Sequence, residues 1–286
     1  MSEPRTVMTE NTLSMDQVRQ RRYRNWHQTQ DTRIRSYEEA VPLIERLGVV
    51  TLFPVSDQVA SCFHAYVGDP NAKTDPGWDT PSGEVYTWRW HLGRHNVAAY
   101  VPFVRKRPTW VSWDLLPAVL RLRADGRMPD ELFDLGVISA DAYRIAQALE
   151  RSGGVLSTGR LREEAGFPTG KEQRTAFLRA IAELDGLLLL AKTFVGDEED
   201  MYHALIPVHF REYAAEADRM SSEDALRLLL ARYLPEAVFA VPGVLSRHLG
   251  IPQEELEAGL LGLVEEGAAT AVVPAGEKRA VYVTTS

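Results

Sequence analysis

Cysteine is almost missing from this chain: Cys62 is the only one in 286 residues. A single thiol closes no intramolecular disulfide and builds no metal framework, which points to a reducing compartment and an expected cytoplasmic location. Long apolar runs are missing as well. None approaches the roughly 18 residues that a membrane-spanning helix needs, and no secretory leader is read, so no membrane partner is expected. There is no Walker loop, no Gly-x-Gly-x-x-Gly and no nucleophile elbow, and no cofactor is expected. Tryptophan is absent after Trp113, although six occur from Trp26 onward. Cations are absent from Pro252–Glu266, which carries Glu254, Glu255, Glu257, Glu265 and Glu266.

What is present is ordinary in bulk and uneven in distribution. Apolar residues make up 45% and charged residues 25%, enough for two or three domains with cores of their own. The net charge is −8. Residues 1–127 hold 17 Lys+Arg against 14 Asp+Glu, whereas residues 128–286 hold 15 against 26. Two clusters are strongly basic: Arg19, Arg21, Arg22 and Arg24, then Arg89, Arg94, Arg105, Lys106 and Arg107. Phosphate binding follows local cation density rather than net charge, so both clusters are candidates, with a solvated face as the alternative.

The order of predicted elements is informative from Ile138 to Val208. Ser139 starts a helix with Ala142, Ile145, Ala146 and Leu149 on one face, and Gly153-Gly154 ends it. A short helix over Ser157–Ala165, a turn at Gly166 and Pro168, and a third helix over Lys171–Asp185 follow. Leu187–Val195 and Tyr202–Val208 read as strands joined by the acidic tip Gly196–Asp200. Helix, helix, helix, hairpin is the order of a winged helix. Residues 221–286 repeat it, with helices over Ala225–Tyr233, Pro242–Leu249 and Pro252–Glu266 and a hairpin around Ala275–Lys278.

The expected fold class is therefore α+β, with tandem winged helices behind an N-terminal tryptophan-rich α/β domain. The divisions fall at 1–35, a basic arm disordered over Met1–Thr12; 36–135, the tryptophan-rich domain; 136–212; and 221–286. In the arm, Met15–Gln28 reads as a polar helix awaiting a partner. In the tryptophan-rich domain, Ser36–Leu47 is a helix, Val49–Pro54 a strand and Gly68–Gly83 a loop. Tyr86–His95 reads as one or two helical turns. Val97–Val104 and Thr109–Trp113 form a hairpin tipped by Arg105-Lys106-Arg107-Pro108, followed by a helix over Asp114–Arg123 and a linker to Asp134.

A recognition helix must present cations or amides to a major groove. Lys171, Arg174 and Arg179 meet that need on the middle third helix, while the acidic last one would repel phosphate. Arg89, Arg105, Lys106 and Arg107 complete the expected DNA contacts, the tip being exposed whatever the core does. Trp88 and Trp90 are read as core aromatics in preference to base-stacking ones. His91 and His95 have helical ligand spacing, but no third ligand follows, and no metal is expected.

Tyr37-Glu38-Glu39-Ala40, Leu47-Gly48-Val49-Val50, Tyr86-Thr87-Trp88-Arg89-Trp90 and Ala98-Ala99-Tyr100…Phe103 resemble the AlkZ-related proteins. These are bacterial relatives of the AlkZ-type DNA glycosylases, and the likeness runs from about Ser36 to Val208. It implies DNA as partner and a repair or damage-response setting. The glycosylases cradle DNA in tandem winged helices and excise bulky alkylated or crosslinked purines without a metal. Their Gln-x-Gln or Gln-x-Asp motif follows the helix matching Ser36–Leu47, where this chain has Thr51-Leu52-Phe53. Thr51 is the sole, weak catalytic candidate there, because Phe53 offers no acceptor to polarise water. Gln28-Thr29-Gln30 spells the motif but precedes the helix. The expected function is DNA binding by shape and backbone contacts without catalysis. The alternatives are an active glycosylase, a dimeric winged-helix regulator, or a scaffold that dimerises or docks a protein through the acidic C-terminal half. If the DNA reading holds, the location is the nucleoid.

Overall fold

The computed structural model describes residues 14–167, 169–196, 200–274 and 279–285. The expected disordered segment Met1–Thr12, Pro168, most of the acidic tip and the terminal hairpin tip lie outside them. The chain is a mixture of helices and strands. It begins with α1 (Met15–Asn25), then α2 (Tyr37–Leu47), β1 (Val49–Thr51), α3 (Cys62–Val67), α4 (Pro81–Arg94), β2 (Ala99–Val104) and β3 (Arg107–Val111). Two connecting helices, α5 (Leu116–Arg123) and α6 (Pro129–Asp134), lead to α7 (Ala140–Arg151), β4 (Val155–Ser157), α8 (Thr158–Glu164), α9 (Lys171–Gly186), β5 (Leu190–Thr193) and β6 (Tyr202–Leu205). After α10 (Ile206–His209) and α11 (Arg211–Arg219) come α12 (Ser222–Ala237), β7 (Phe239–Ala240), α13 (Pro242–Leu249), α14 (Gln253–Glu265), β8 (Ala269–Val272) and β9 (Val281–Thr284).

One order of elements thus occurs three times: helix, short strand, two helices, hairpin. The sheets repeat it too, since in each unit the first strand pairs with the last, giving β1-β3-β2, β4-β6-β5 and β7-β9-β8. Residues 36–111 share this order, which their tryptophans and long loop hide in the sequence. The first two sheets are not separate. Strand β2 pairs antiparallel with β5 through Tyr100 and Lys192, making one six-stranded sheet, β1-β3-β2-β5-β6-β4.

Local chemistry explains most of the boundaries. Hydroxyl caps accept from the backbone N–H of the first turn at Ser61, Thr80, Ser139, Ser157 and Ser221. Gly48 ends α2 in the left-handed region, at φ +74°, packed so closely on Leu115 that a Cβ would collide with it. Helix α4 is longer than the expected one or two turns. Thr80 caps it and Pro81 takes its first turn, where the missing N–H costs nothing. Helix α12 runs through Pro235 to Ala237 instead of stopping near it, and the expected linker before Asp134 contains α6.

The polar helix α1 needs no external partner. Its Arg22 is 1% exposed and spans the first and third units. Nη1 donates to the Asp57 carbonyl at 2.6 Å, and Nε and Nη2 donate to the carbonyls of Ala237 and Phe239. The guanidinium also lies 3.5 Å from the Phe239 ring centroid and 4.9 Å from that of Trp26. Arg22 is therefore no phosphate contact, contrary to its place in the first basic cluster. Arg46 to Glu236, Arg232 to the Glu45 carbonyl and the Tyr233 hydroxyl to the Gln58 carbonyl tie the same two units together.

Candidate nucleic-acid interface

A cleft of about 580 Å³ opens between the end of β1, helix α4 and the β2–β3 hairpin. Its size is that of a small-molecule site. Thr51, Phe53, Tyr86, Arg89, Tyr100, Arg105 and Arg107 are among its lining residues. Each gets there by a local rule. Tyr86 and Arg89 sit three apart on α4 and so share a helix face. Thr51 ends β1 in register with Thr109 of β3, beside the hairpin that carries the cations. Arg105 and Lys106 form a two-residue turn with φ of +49° and +58°, and Val104 pairs with Arg107 across it. Such turns favour Asn-Gly, and an L side chain pays roughly 1 kcal/mol or more for each left-handed residue.

The third unit holds this tip in place. The Arg105 N–H donates to the His248 carbonyl at 2.8 Å, at the end of α13. All three tip cations nonetheless stay exposed. None of the ion pairs among the described residues involves Arg89, Arg105, Lys106 or Arg107. Arg89 lies with its guanidinium 3.6 Å from the Tyr86 ring centroid and 4.1 Å from that of Trp90, and its buried Nε has no hydrogen-bond partner. The described lining residues include no carboxylate, carboxamide or imidazole. Cleft and tip together form a cationic, aromatic concavity suited to anions with flat apolar parts.

The titratable groups behind the cleft are locked. Tyr100 stacks on Trp110 at 4.2 Å, and burial raises its phenol above the ordinary range, with Arg89 opposing. Burial likewise pushes the Cys62 thiol up to about 12, so it is an inert core group. Thr51 is 1% exposed, and its hydroxyl donates to the Ala60 carbonyl at 3.1 Å.

Residues 34–201, more than half of the chain and including every cleft residue, match the model of the AlkZ-related family. The chain belongs to the AlkZ-related family. Neither the curated proteins nor the solved structures contain a match to it.

Of the residues singled out in this AlkZ-related chain, the structure brings Thr51, Arg89, Arg105 and Arg107 around one cleft. Lys106 turns toward the end of α9, its Nζ 3.7 Å from where a Cβ would stand on Gly186. The carbonyls of a helix C-terminus favour a cation there. Lys171, Arg174 and Arg179 are exposed on α9 but do not line the cleft. Lys171 begins the helix and Gly186 ends it, so along its axis Lys171 stands about 22 Å and Arg179 about 10 Å from the end that Lys106 approaches. Gln28-Thr29-Gln30 is elsewhere: Gln30 donates to the Val67 and Gly68 carbonyls at the end of α3. His91 stacks on Tyr37 at 4.3 Å, and His95 bonds the His91 carbonyl through Nδ1. Among the described residues no cluster of His, Cys, Asp and Glu is arranged to hold a metal ion, and no helix is long and apolar enough to cross a membrane.

Sequence reasoning overlooked Tyr86 and Tyr100 as lining groups. The spacing of Tyr86 and Arg89 on a helix was a usable signal. Tyr100 had none, because every residue of β2 is buried and side-chain alternation there marks no open face.

Proposed function

We propose that the protein binds DNA through the cationic cleft and the exposed face of α9, in a DNA-repair or damage-response role, and that it does so without excising a base. In this reading each three-helix-and-hairpin unit is a winged helix. The observation that carries it is the convergence of Arg89, Arg105 and Arg107 on one concavity with no carboxylate paired to them. Unpaired cations at an exposed rim exchange counterions for phosphates, and membership of the AlkZ-related family supports DNA as the polyanion. Units one and two supply cations on their third helices, α4 and α9. Helix α14 has no Lys or Arg and faces away from that role.

The lining supports binding without excision. Thr51 uses its proton on Ala60, Phe53 carries no acceptor, and no other lining group is a general base at neutral pH. A flipped nucleotide would meet cations and rings but nothing to activate water.

The test is a double variant that removes charge without weakening the fold. Arg105→Asn with Lys106→Gly takes two cations from the tip and installs the residues that such a turn prefers. In anisotropy titrations with duplex DNA, affinity at low salt should fall and the log–log salt slope should shrink by about 1, the share of the cleft residue Arg105, while the urea midpoint stays level or rises. Wild-type affinity and slope in the variant would remove the hairpin from the interface. Release of free base from a lesion duplex would overturn the reading of binding alone.

A further inference from the structure

The most exposed large apolar side chain among the described residues is Trp78, at 70%. It belongs to the loop before α4, which sequence patterning left without structure. The loop is in fact pinned. Thr80 Oγ1 donates to the Gly77 carbonyl at 2.9 Å while accepting from the Gly83 N–H, and the Asp75 N–H donates to Ser82 Oγ at 3.0 Å. Gly83 lies so close under the carbonyls of Gly77 and Trp78 that any side chain there would collide with them. An indole is thus held out in water by a turn built to hold it.

Its ring neighbour is Tyr86, one of the cleft's own aromatics. The ring centroid of Trp78 is 5.7 Å from that of Tyr86, edge to face at 74°, and Tyr86 meets Trp90 in the same way at 5.5 Å. An edge-to-face contact covers at most one face of the indole, so at least one face is open. Arg89 lies against Tyr86 and Trp90 within the same array. Trp88, which the sequence placed beside Arg89, is buried and donates through Nε1 to Glu84 at 3.0 Å. The aromatic free to act is therefore Trp78. Asp75 and Asp79 flank it in the sequence and would repel phosphate, so the indole can contribute stacking only, and the phosphate contacts fall to Arg89, Arg105 and Arg107 of the cleft lining.

We infer that Trp78 and Tyr86 form a stacking platform at the edge of the cationic cleft for the base of an unpaired nucleotide, so that single-stranded or locally unpaired DNA binds more tightly than fully paired duplex. The inference rests on the DNA-binding reading. The chemistry favours this occupant because a paired base hides its faces in its own stack. An unpaired one offers a π-face to the indole while its phosphates reach the arginines.

The experiment compares an oligothymidine with a fully paired hairpin, using the full chain, wild type and variants Trp78→Ala and Trp78→Phe. Stacking on an aromatic is worth about 1–3 kcal/mol per base, so Trp78→Ala should weaken oligothymidine binding about tenfold. Hairpin binding should change less than twofold, and Trp78→Phe should keep most of the single-strand affinity. Oligothymidine should quench wild-type tryptophan fluorescence, and most of that quenching should be lost in Trp78→Phe, because Trp26, Trp88 and Trp110 are buried and Trp90 and Trp113 are half-buried. Equal losses on both substrates, wild-type behaviour of Trp78→Ala, or no wild-type preference for the unpaired strand would each overturn the platform. Salt-dependent hairpin binding that persists through those outcomes would leave the cationic cleft standing. Absence of wild-type binding to either substrate at low salt would overturn both.

Discussion

Lys192 and His203 lie side by side in the hairpin of the middle unit, both buried, and their hydrogen bonds dictate their protonation. Lys192 Nζ donates to Asp185 Oδ1 at 3.2 Å and to His203 Nδ1 at 3.0 Å. Nδ1 must then be the acceptor, so Nε2 carries the proton and donates to Thr158 Oγ1 at 3.0 Å, and that hydroxyl donates to the Met201 carbonyl. Burial first, and the Lys192 charge second, lower the imidazole to about 3. The unfolded chain takes up this proton near pH 6.5, whereas the folded chain refuses it until about 3. Stability is therefore full above pH 6.5 and falls as the pH drops, by about 2 kcal/mol between 6.5 and 5. Burial lowers His64 and His209 in the same direction, so they add to the same acid limb. A comparison of variants isolates His203: urea midpoints of His203→Gln should lose less between pH 7 and 5 than those of the wild type. Parallel profiles would show that His203 carries no part of the acid limb.

At the scale of elements, the seam between the first two units depends on a glycine inside a helix. Gly93 is near the end of α4, where alanine would normally raise helix stability by about 1 kcal/mol. The Phe194 ring, just past β5, lies directly on its backbone, so that a Cβ would overlap the ring. Phe194 also packs 6.4 Å from Tyr100, which pairs with Lys192 between β2 and β5. Overpacking of this kind costs about 1–3 kcal/mol and exceeds the propensity gain. Gly93→Ala should therefore lower the unfolding free energy by a net of up to about 2 kcal/mol, the difference between those two opposing effects. A variant more stable than wild type would mean that Phe194 swings aside freely. Element existence was largely legible: the start at Ser139 and the helices expected over Ser36–Leu47, Ser157–Ala165 and Ala225–Tyr233 correspond to helices that the structure contains. The length of α4 was not legible, because the polar, glycine- and proline-rich run before it read as loop through Gly83.

At the scale of the molecule, Arg22 is the fastening that makes α1 part of the body. Its charge meets three backbone carbonyls and two rings, with no carboxylate within ion-pair distance among the described residues. Burial lowers its pKa, opposed by the nearby Asp57 carboxylate and the phenols of Tyr233 and Tyr23. Truncation would leave the carbonyls of Asp57, Ala237 and Phe239 without this donor in a water-poor junction. Arg22→Ala should cost about 3 kcal/mol or more in unfolding free energy and should expose α1 to limited proteolysis. Arg22→Lys should not restore it, because one ammonium cannot reach carbonyls that a planar fork spans. An unchanged midpoint in Arg22→Ala would show that α1 is only laid on the surface.

The sequence by itself determined most of the helices and hairpins, since caps, glycine stops and apolar spacing act within a few residues. It also determined the cationic tip and the family resemblance, which rest on contiguous residues. Tertiary structure alone decided which of the similar side chains are available. Arg22 is enclosed by residues 57, 237 and 239, and Arg105 is exposed on a tip braced by residue 248. Trp88 enters a core while Trp78 stands out of a turn, although both lie in the same tryptophan-rich stretch. The edge-to-edge pairing of β2 with β5 joins residues 92 positions apart, Tyr100 and Lys192, and no local pattern encodes it. Burial is a property of the neighbours, and for these residues the neighbours are supplied by distant parts of the chain.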